Sequence, residues 1–411
     1  IVCLLYATQV QAQDSNNSST INIFLDCSWD CDMNYIKQEI PYVNYAIDVN
    51  NADVYILVTN QTTGSGGSEM TLKFQGERDF KGQNSEIKYM TLPVSTEDEL
   101  RSQMTKNLKA GLLPFLARTS AFDQLDISYN APEESNEDAE EEKEDKWNSW
   151  IYSVGLNGWF NGQSTYKSLN TFGSISATRV TEKWKYRLRG SASFNRSSYD
   201  VDEDEPLIAK QSNFSGRAYM IRAINNHWSA GAYATAFSST YSNLNFATRI
   251  GPALEYDLFP YEESNTKQLR FSYIPSASFN SYADTTIYLE TEELLFQHSL
   301  GIYYETQAKF GSIDMGMNAS QYLHDLGLFS LSLNGGVNIR VVKGLSFRLS
   351  GNFQMIYDQI TLPKGDVSAE DIILQNVQLP TTFSYWGNFG INYTFGATYN
   401  NVVFPRFGGN L

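Results

Sequence analysis

Six arginines in this chain have the chemistry and the spacing to line a channel for anions. Each lies in a segment where polar and apolar residues alternate, so that all six would face the polar side. A ladder of guanidinium groups inside a pore selects anionic solutes. The alternative is that they brace the wall by pairing with carboxylates such as Glu255. The predicted lining residues are Arg187, Arg189, Arg217, Arg270, Asp314, Arg340 and Arg348.

The residues that support catalysis in other proteins are not placed for it here. The chain has three histidines, and only His298 has a serine beside it, Ser299. Adjacent residues of a strand point to opposite faces, so these two cannot act as base and nucleophile. His227 and His324 fall in turns without a serine and a carboxylate nearby in sequence. We therefore predict no enzymatic activity and no cofactor.

Metal and phosphate sites also have little support in the sequence. Cys27 and Cys31 form an even pair, which in an exported chain favours a disulfide, and the second ligand pair of a metal site is absent. Residues 200–205 are acidic but lack the central glycine and distal glutamate of a calcium loop, so we predict a solvated loop. The alternative is that a divalent ion bridges these carboxylates to the phosphates of lipopolysaccharide. The glycine-rich segment 63–68 lacks a nucleotide-loop lysine and predicts a hairpin.

Strict alternation of apolar and polar residues is the main structural signal from residue 150 onward. In 328–340 and 345–355, aromatic and aliphatic residues interleave with Ser, Asn, Gly and Arg. The segments 185–195 and 268–280 repeat the pattern. The solvent face of a soluble sandwich would be rich in Lys and Glu, whereas this polar face is small and mostly uncharged, as in a crowded lumen. Fifty Phe and Tyr residues (24 and 26) agree with an apolar outer wall.

Residues 148–398 are predicted to form a transmembrane antiparallel β-barrel of about twelve strands, with ten or fourteen as alternatives. Every second connection is short, as at 181–183, 225–227, 309–311 and 342–344. Short turns on the periplasmic side and longer loops outside are the usual asymmetry of bacterial barrels. This places both ends of the barrel, and the segment that precedes it, in the periplasm.

The last predicted strand carries a pattern with a known role. Asn388, Gly390, Tyr393 and Phe395 combine a polar residue, a glycine two places on and two aromatics that flank Thr394. This spacing resembles the β-signal of Gram-negative outer-membrane barrels. The resemblance implies recognition by the barrel-assembly machinery.

Residues 20–130 predict a small α+β domain that precedes the barrel. Its elements follow the order β-α-β-β-β-α-β, with a helix over 95–116 and a last strand over 124–129. This order is similar to that of the amino-terminal domains of TolB-like and CsgG-like envelope proteins. Residues 131–147 predict an acidic linker, since 131–146 hold nine acids and two lysines.

The two ends of the chain complete the expected organisation. Residues 1–12 look like the remnant of a signal peptide that ends in Val10-Gln11-Ala12, and residues 399–411 form a C-terminal tail. With the segment 35–45, this tail resembles exported barrel proteins of the Bacteroidota. The resemblance implies location and architecture only.

Two functions follow from these observations as expectations. The first is a narrow or gated outer-membrane pore for small, anionic solutes with a periplasmic docking domain. The second is a non-transporting adaptor in envelope assembly or secretion, anchored by its barrel. The expected partners are outer-membrane lipid and lipopolysaccharide, the barrel-assembly machinery and a periplasmic protein bound by residues 20–130. A net charge of −16 disfavours nucleic acid.

Overall fold

A computed structural model shows two units, an α+β unit and a large antiparallel sheet. It describes residues 20–27, 31–64, 66–125, 146–200, 206–365, 374, 377–399 and 401–403. Residues 1–19, most of the predicted acidic linker and residues 404–411 lie outside the described residues.

The N-terminal unit (residues 20–125) contains one five-stranded sheet and two α-helices. The sheet has the order β2-β1-β3-β4-β5, in which β1 runs parallel to β2 and β3 and the other neighbours are antiparallel. The predicted strand 124–129 is wrong at its start, because Ser120–Gln124 form a 3-10 helix; residues 126–129 lie outside the described residues. The elements are β1 (Asn22–Asp26), α1 (Met33–Glu39), β2 (Asn44–Tyr45), β3 (Val54–Thr62), β4 (Ser68–Gly76), β5 (Asn84–Thr91) and α2 (Glu97–Leu116).

The core of the N-terminal unit lies between the helices and one face of the sheet. Helix α2 begins with a capping box, in which Thr96 and Glu99 satisfy each other's backbone N–H groups. Its Leu108 and Leu112, four residues apart, pack in the same buried cluster as Ile56 of β3. No helix of the described residues is long and apolar enough to cross a membrane. The opposite face of the sheet carries other residues of β1 and β3, among them Phe24, Tyr55, Leu57 and Thr59.

The second unit is a twelve-stranded antiparallel sheet in which each strand pairs with the next along the chain. The predicted count and the antiparallel arrangement are confirmed. The strands are β6 (Trp150–Gln163), β7 (Tyr166–Val180), β8 (Trp184–Tyr199), β9 (Leu207–Ala223), β10 (Trp228–Ser239), β11 (Leu244–Asp257), β12 (Lys267–Tyr282), β13 (Glu292–Ala308), β14 (Gly311–Tyr322), β15 (Phe329–Val342), β16 (Leu345–Ile356) and β17 (Phe383–Tyr393).

The strand register separates two faces of this sheet. On the outer face, Val154 lies beside Ile175, and Leu349 lies beside Phe389; all four side chains are exposed, as they would be toward hydrocarbon. On the inner face, Ser, Asn, Gly and Arg predominate. The sheet curls so that the inner faces of β9 to β14 surround a cavity of about 900 Å³.

The first and last strands form the edges of the large sheet. No hydrogen-bonded pairing joins β6 to β17 among the described residues. Both faces of these strands are therefore open: the inner-face residues Trp159 and Trp386 are 60% and 59% exposed. The structure thus has an unsealed seam along one side of the sheet.

Candidate functional site

A basic group lies on the inner face of β8 and β9. Arg187 and Arg189 alternate along β8, and Arg189 lies directly opposite Arg217 of β9. Register continues this row through Thr235 of β10 to Arg249 of β11. Arg249 is not among the predicted lining residues, although its alternation with the outward-facing Ile250 on β11 carries the same signal.

Acidic residues occupy the inner face of other strands. Glu255 of β11 lies 3.7 Å from Arg270 of β12, so the predicted counter-charge is in place. Glu305 of β13 faces Asp314 of β14 directly across the ladder. The arginines on the inner face thus extend from β8 to β12, and the inner-face pair of carboxylates Glu305 and Asp314 lies on β13 and β14.

The other two predicted lining arginines differ from each other. Arg348 lies on the inner face between Asn338 and Gly390. Arg340 stands at the end of β15, where its guanidinium donates to both carboxylate oxygens of Asp26 at 2.7 and 2.9 Å. Arg340 thus joins the two units. The role of the seven predicted residues in lining a pore stays a prediction.

The Asp26–Arg340 pair is the centre of the contact between the units. The hydroxyl of Tyr55 donates to Asp26 at 2.6 Å, and Arg340 lies over the ring of Phe24. Burial, together with the neighbouring Asp26 carboxylate, raises the pKa of Tyr55, so its hydroxyl stays a donor. Arg340 also donates to the carbonyl oxygen of Lys309. A charge-assisted, bidentate network of this kind fixes position as well as contributing energy.

Further contacts spread this interface over the turns at one end of the large sheet. Glu77 pairs with Lys309 of the β13–β14 turn at 2.7 Å. Gln61 donates to Ser264 of the β11–β12 connection at 2.8 Å. The tip of the β3–β4 hairpin, at Gly64, packs against Val180 at the end of β7 so closely that a Cβ would clash. The N-terminal unit therefore reaches from β7 to β15 across this end of the sheet, here called the domain end.

The segment after β17 also binds the N-terminal unit. The amide of Ile47 donates to the carbonyl oxygen of Thr398, and Ala46 forms a bridge with Tyr399. The Asn401 side chain accepts from the amide of Tyr45 and donates to nearby oxygens. These contacts lie along the β2 edge of the five-stranded sheet and cover it.

The opposite end of the large sheet is narrowed by the connection between β16 and β17. Pro363 bridges to Thr286 in the β12–β13 connection, and the Asn243 side chain donates to the carbonyl oxygen of Thr361. Ile360 is buried against inner-face residues of β13 and β14. Thr361 also lines the 900 Å³ cavity. Both ends of the interior are therefore partly covered.

The remaining predicted residues are placed as follows. Gly390 lies on the inner face and Tyr393 on the outer face of β17, with the Tyr393 and Phe395 rings stacked; Asn388 faces inward beside Ser350. Cys27 and Cys31 are joined by a disulfide.

Among the described residues there is no cluster of three or more His, Cys, Asp or Glu side chains that could hold a metal.

Asp48 forms a contact between the units that depends on pH. Burial favours its neutral form, but hydrogen bonds from the amides of Asn50 and Gly344 outweigh this and lower its pKa below 3.8. Because the pKa of Asp48 is lower in the folded protein than in the unfolded chain, its ionised form stabilises the contact at pH values above the unfolded-state pKa. This stabilisation is lost as the pH falls through the folded-state pKa. We expect exchange of the Gly344 amide, corrected for its intrinsic rate, to accelerate below about pH 4. The Asp48→Asn variant should lack this acceleration; an identical pH profile would contradict the assignment.

Comparisons with known proteins find similarity among solved structures. No family model matches the chain, and no curated protein matches it. The matching solved structures include the β-domain of the Bordetella autotransporter BrkA, at 11% identity, 59% coverage of this chain, 98% coverage of that chain and a TM-score of 0.25. A TM-score this low carries no argument about fold or function.

Proposed function

We propose that this protein is an outer-membrane β-barrel whose twelve strands enclose a narrow pore, gated at its periplasmic mouth by the N-terminal unit. The exposed apolar outer face and the polar inner face support the membrane location. In this proposal β6 and β17 pair in the membrane, because each unpaired backbone group in hydrocarbon costs several kcal/mol. Both strands reach the domain end, at Trp150 and Tyr393, and they run antiparallel.

The observation that carries the proposal is the position of the N-terminal unit over the domain end. Its contacts run from Val180 to Gly344 and include the turns at Ser264 and Lys309. Because the N-terminal unit is held at several separate turns, it can close the opening of the pore at the domain end. Release of these contacts would open the pore. Since short turns face the periplasm in bacterial barrels, we place the N-terminal unit there.

The solutes proposed for the pore are small anions. Arg187, Arg189 and Arg217 form the basic group of the inner face, and Arg249 extends it. Fixed positive charge in a narrow lumen attracts anions and raises their local concentration. The barrel-assembly machinery is the proposed partner in insertion, through the β17 pattern, and lipid and lipopolysaccharide are the proposed surroundings.

Planar-bilayer recording of the purified full chain tests the pore. We expect brief, anion-selective openings, because the N-terminal unit covers the mouth most of the time. Replacing Arg187 and Arg189 with serine should move the anion-to-cation permeability ratio toward one, since it removes two positive charges from the lumen.

The control for this experiment is Arg196→Ser, which removes a charge from the outer face of the same strand. Selectivity should not change in this variant. An equal loss in both variants would assign the effect to surface charge. Complete electrical silence of the wild type and of a variant with a released N-terminal unit would contradict the pore.

A specific observation favours the second function, that of a membrane-anchored adaptor. In the described residues β5 has no second neighbour, and Met90, Leu92 and Val94 at its end are 68%, 66% and 82% exposed. An open strand edge beside exposed apolar side chains suits a periplasmic protein partner that adds a strand. Silence in bilayers together with an envelope protein captured by wild type, but not by Met90→Lys, would favour the adaptor.

A further inference from the structure

Three cationic side chains lie together on the outer face of β7, β8 and β9, at the end of the large sheet away from the N-terminal unit. Arg196 of β8 lies directly opposite Lys210 of β9. Lys167 of β7 pairs with Ser198 and therefore stands diagonally from Arg196. Opposite side chains in a sheet are about 5 Å apart and diagonal ones about 7–8 Å apart, so these three charges, here called the outer basic cluster, can contact one ligand.

The outer basic cluster has no counter-charge in the described part of the chain. All three side chains are exposed, and within the residues that the structure describes none of them forms a salt bridge. Like charges directly opposite each other destabilise a sheet. On the other strands, as far as they are described, no Lys or Arg faces outward at this end. The positive charge is therefore local, and an anionic ligand would compensate it.

An apolar wall continues from the outer basic cluster toward the domain end. Leu169 and Phe194 come directly after the cluster on the outer face, and Phe214 lies one row further; all three are exposed. The next outward cation of β9 is Arg222, at the domain end. From Lys210 to Arg222 the strand rises about 40 Å, or about 30 Å along the membrane normal at the usual tilt, which matches the hydrocarbon thickness of a bilayer. The cluster is thus at the level of the lipid headgroups.

We propose that the outer basic cluster binds the phosphate groups of a lipopolysaccharide molecule in the outer leaflet. This inference rests on the proposed membrane location, in which the end away from the N-terminal unit faces the cell exterior. Arginine binds phosphate through paired N–H donors, and lysine adds a point charge. The acyl chains of the same molecule lie along the apolar wall. An acidic protein would satisfy the three charges but not this wall, which hydrocarbon covers.

Native mass spectrometry of the full chain in detergent, titrated with bisphosphorylated lipid A, tests this site without reference to conductance. We expect saturable binding of one lipid per chain. The double variant Arg196→Ser/Lys210→Ser should weaken binding by about thirtyfold, because it removes two of the three charges that contact phosphate. The variant Arg196→Lys/Lys210→Arg keeps both charges, so its affinity should stay within about threefold of wild type.

The matched control is Arg179→Ser/Arg222→Ser, which removes two outward cations from the domain end of β7 and β9. This variant should bind lipid A as wild type does. Lipid A without its phosphates should bind about thirtyfold more weakly, since only the acyl chains then contribute. A large excess of inorganic phosphate should not displace lipid A, and binding should persist in EDTA.

Several results would overturn the proposal. These are unchanged affinity in Arg196→Ser/Lys210→Ser, an equal loss in the domain-end control, and displacement by inorganic phosphate. Loss of binding in EDTA would also overturn it and would assign the lipid to divalent ions held by residues 200–205. A silent protein that still binds lipid A at the cluster would contradict the pore alone, whereas a conducting protein whose double variant keeps its affinity would contradict this site alone.

Discussion

Replacing Asp26 with asparagine is expected to release the N-terminal unit from the large sheet. Asp26 is the acceptor for both Arg340 and Tyr55, and its side chain is only 13% exposed. The substitution leaves the Arg340 guanidinium partly buried without its counter-charge, a loss of about 2–5 kcal/mol for a pair of this kind. The exposed Glu77–Lys309 pair contributes less than about 1 kcal/mol and cannot compensate.

Hydrogen exchange measured by mass spectrometry reports this release. Exchange at the Gly344 amide, which donates to Asp48 only while the units are docked, should rise about thirtyfold or more. Glu77→Gln is the matched control and should change exchange little. In bilayers the Asp26→Asn variant should stay open longer than wild type. Exchange and gating that both remain at wild-type values would show that the pair does not hold the units together.

Cysteines placed across the seam are expected to form a disulfide in most molecules once the protein is in a bilayer. Val154 of β6 and Phe389 of β17 both face outward, and antiparallel pairing from the domain end brings them side by side. Paired strands hold facing Cα atoms about 4.5–5.5 Å apart, within the range of a disulfide. Val154→Cys should therefore cross-link with Phe389→Cys, or with Gly387→Cys or Ile391→Cys if the register shifts by two.

The control for the seam is Val154→Cys combined with Asn388→Cys. Asn388 faces inward, so this pair should not cross-link even when the strands meet. Non-reducing gel electrophoresis after oxidation measures the yield. A seam that is open in the bilayer would leave all of the outward pairs as free thiols, and the barrel and its pore would then be excluded together.

The large sheet could be predicted from the sequence because its two faces contact different surroundings. Alternation of apolar and polar residues marks a strand with two different faces, whichever strand it pairs with. The order of the strands then follows simply, because each strand pairs with its neighbour in the chain. The same rule would have found Arg249 beside the predicted arginines, since it alternates with the outward-facing Ile250. Prediction failed at Gln124, the first residue of the predicted strand 124–129, because this residue ends a 3-10 helix.

The interface between the units could not be predicted, because no local pattern encodes it. Asp26 and Arg340 are 314 residues apart, and an arginine at the end of an alternating strand has the same signal whether it faces a lumen or another unit. The bridge from Thr286 to Pro363 is hidden for the same reason. Contacts of this kind depend on the curl of the sheet, which alternation does not specify.

The contact of Thr398, Tyr399 and Asn401 with the β2 edge imposes an order on assembly. These residues follow β17, so they are made after every strand of the large sheet, yet they cover an edge in the first part of the chain. Until they arrive, β2 presents unpaired backbone groups to the surroundings. A partly made chain that lacks this segment therefore keeps an edge to which another strand can add, and the arrival of Thr398, Tyr399 and Asn401 closes that edge.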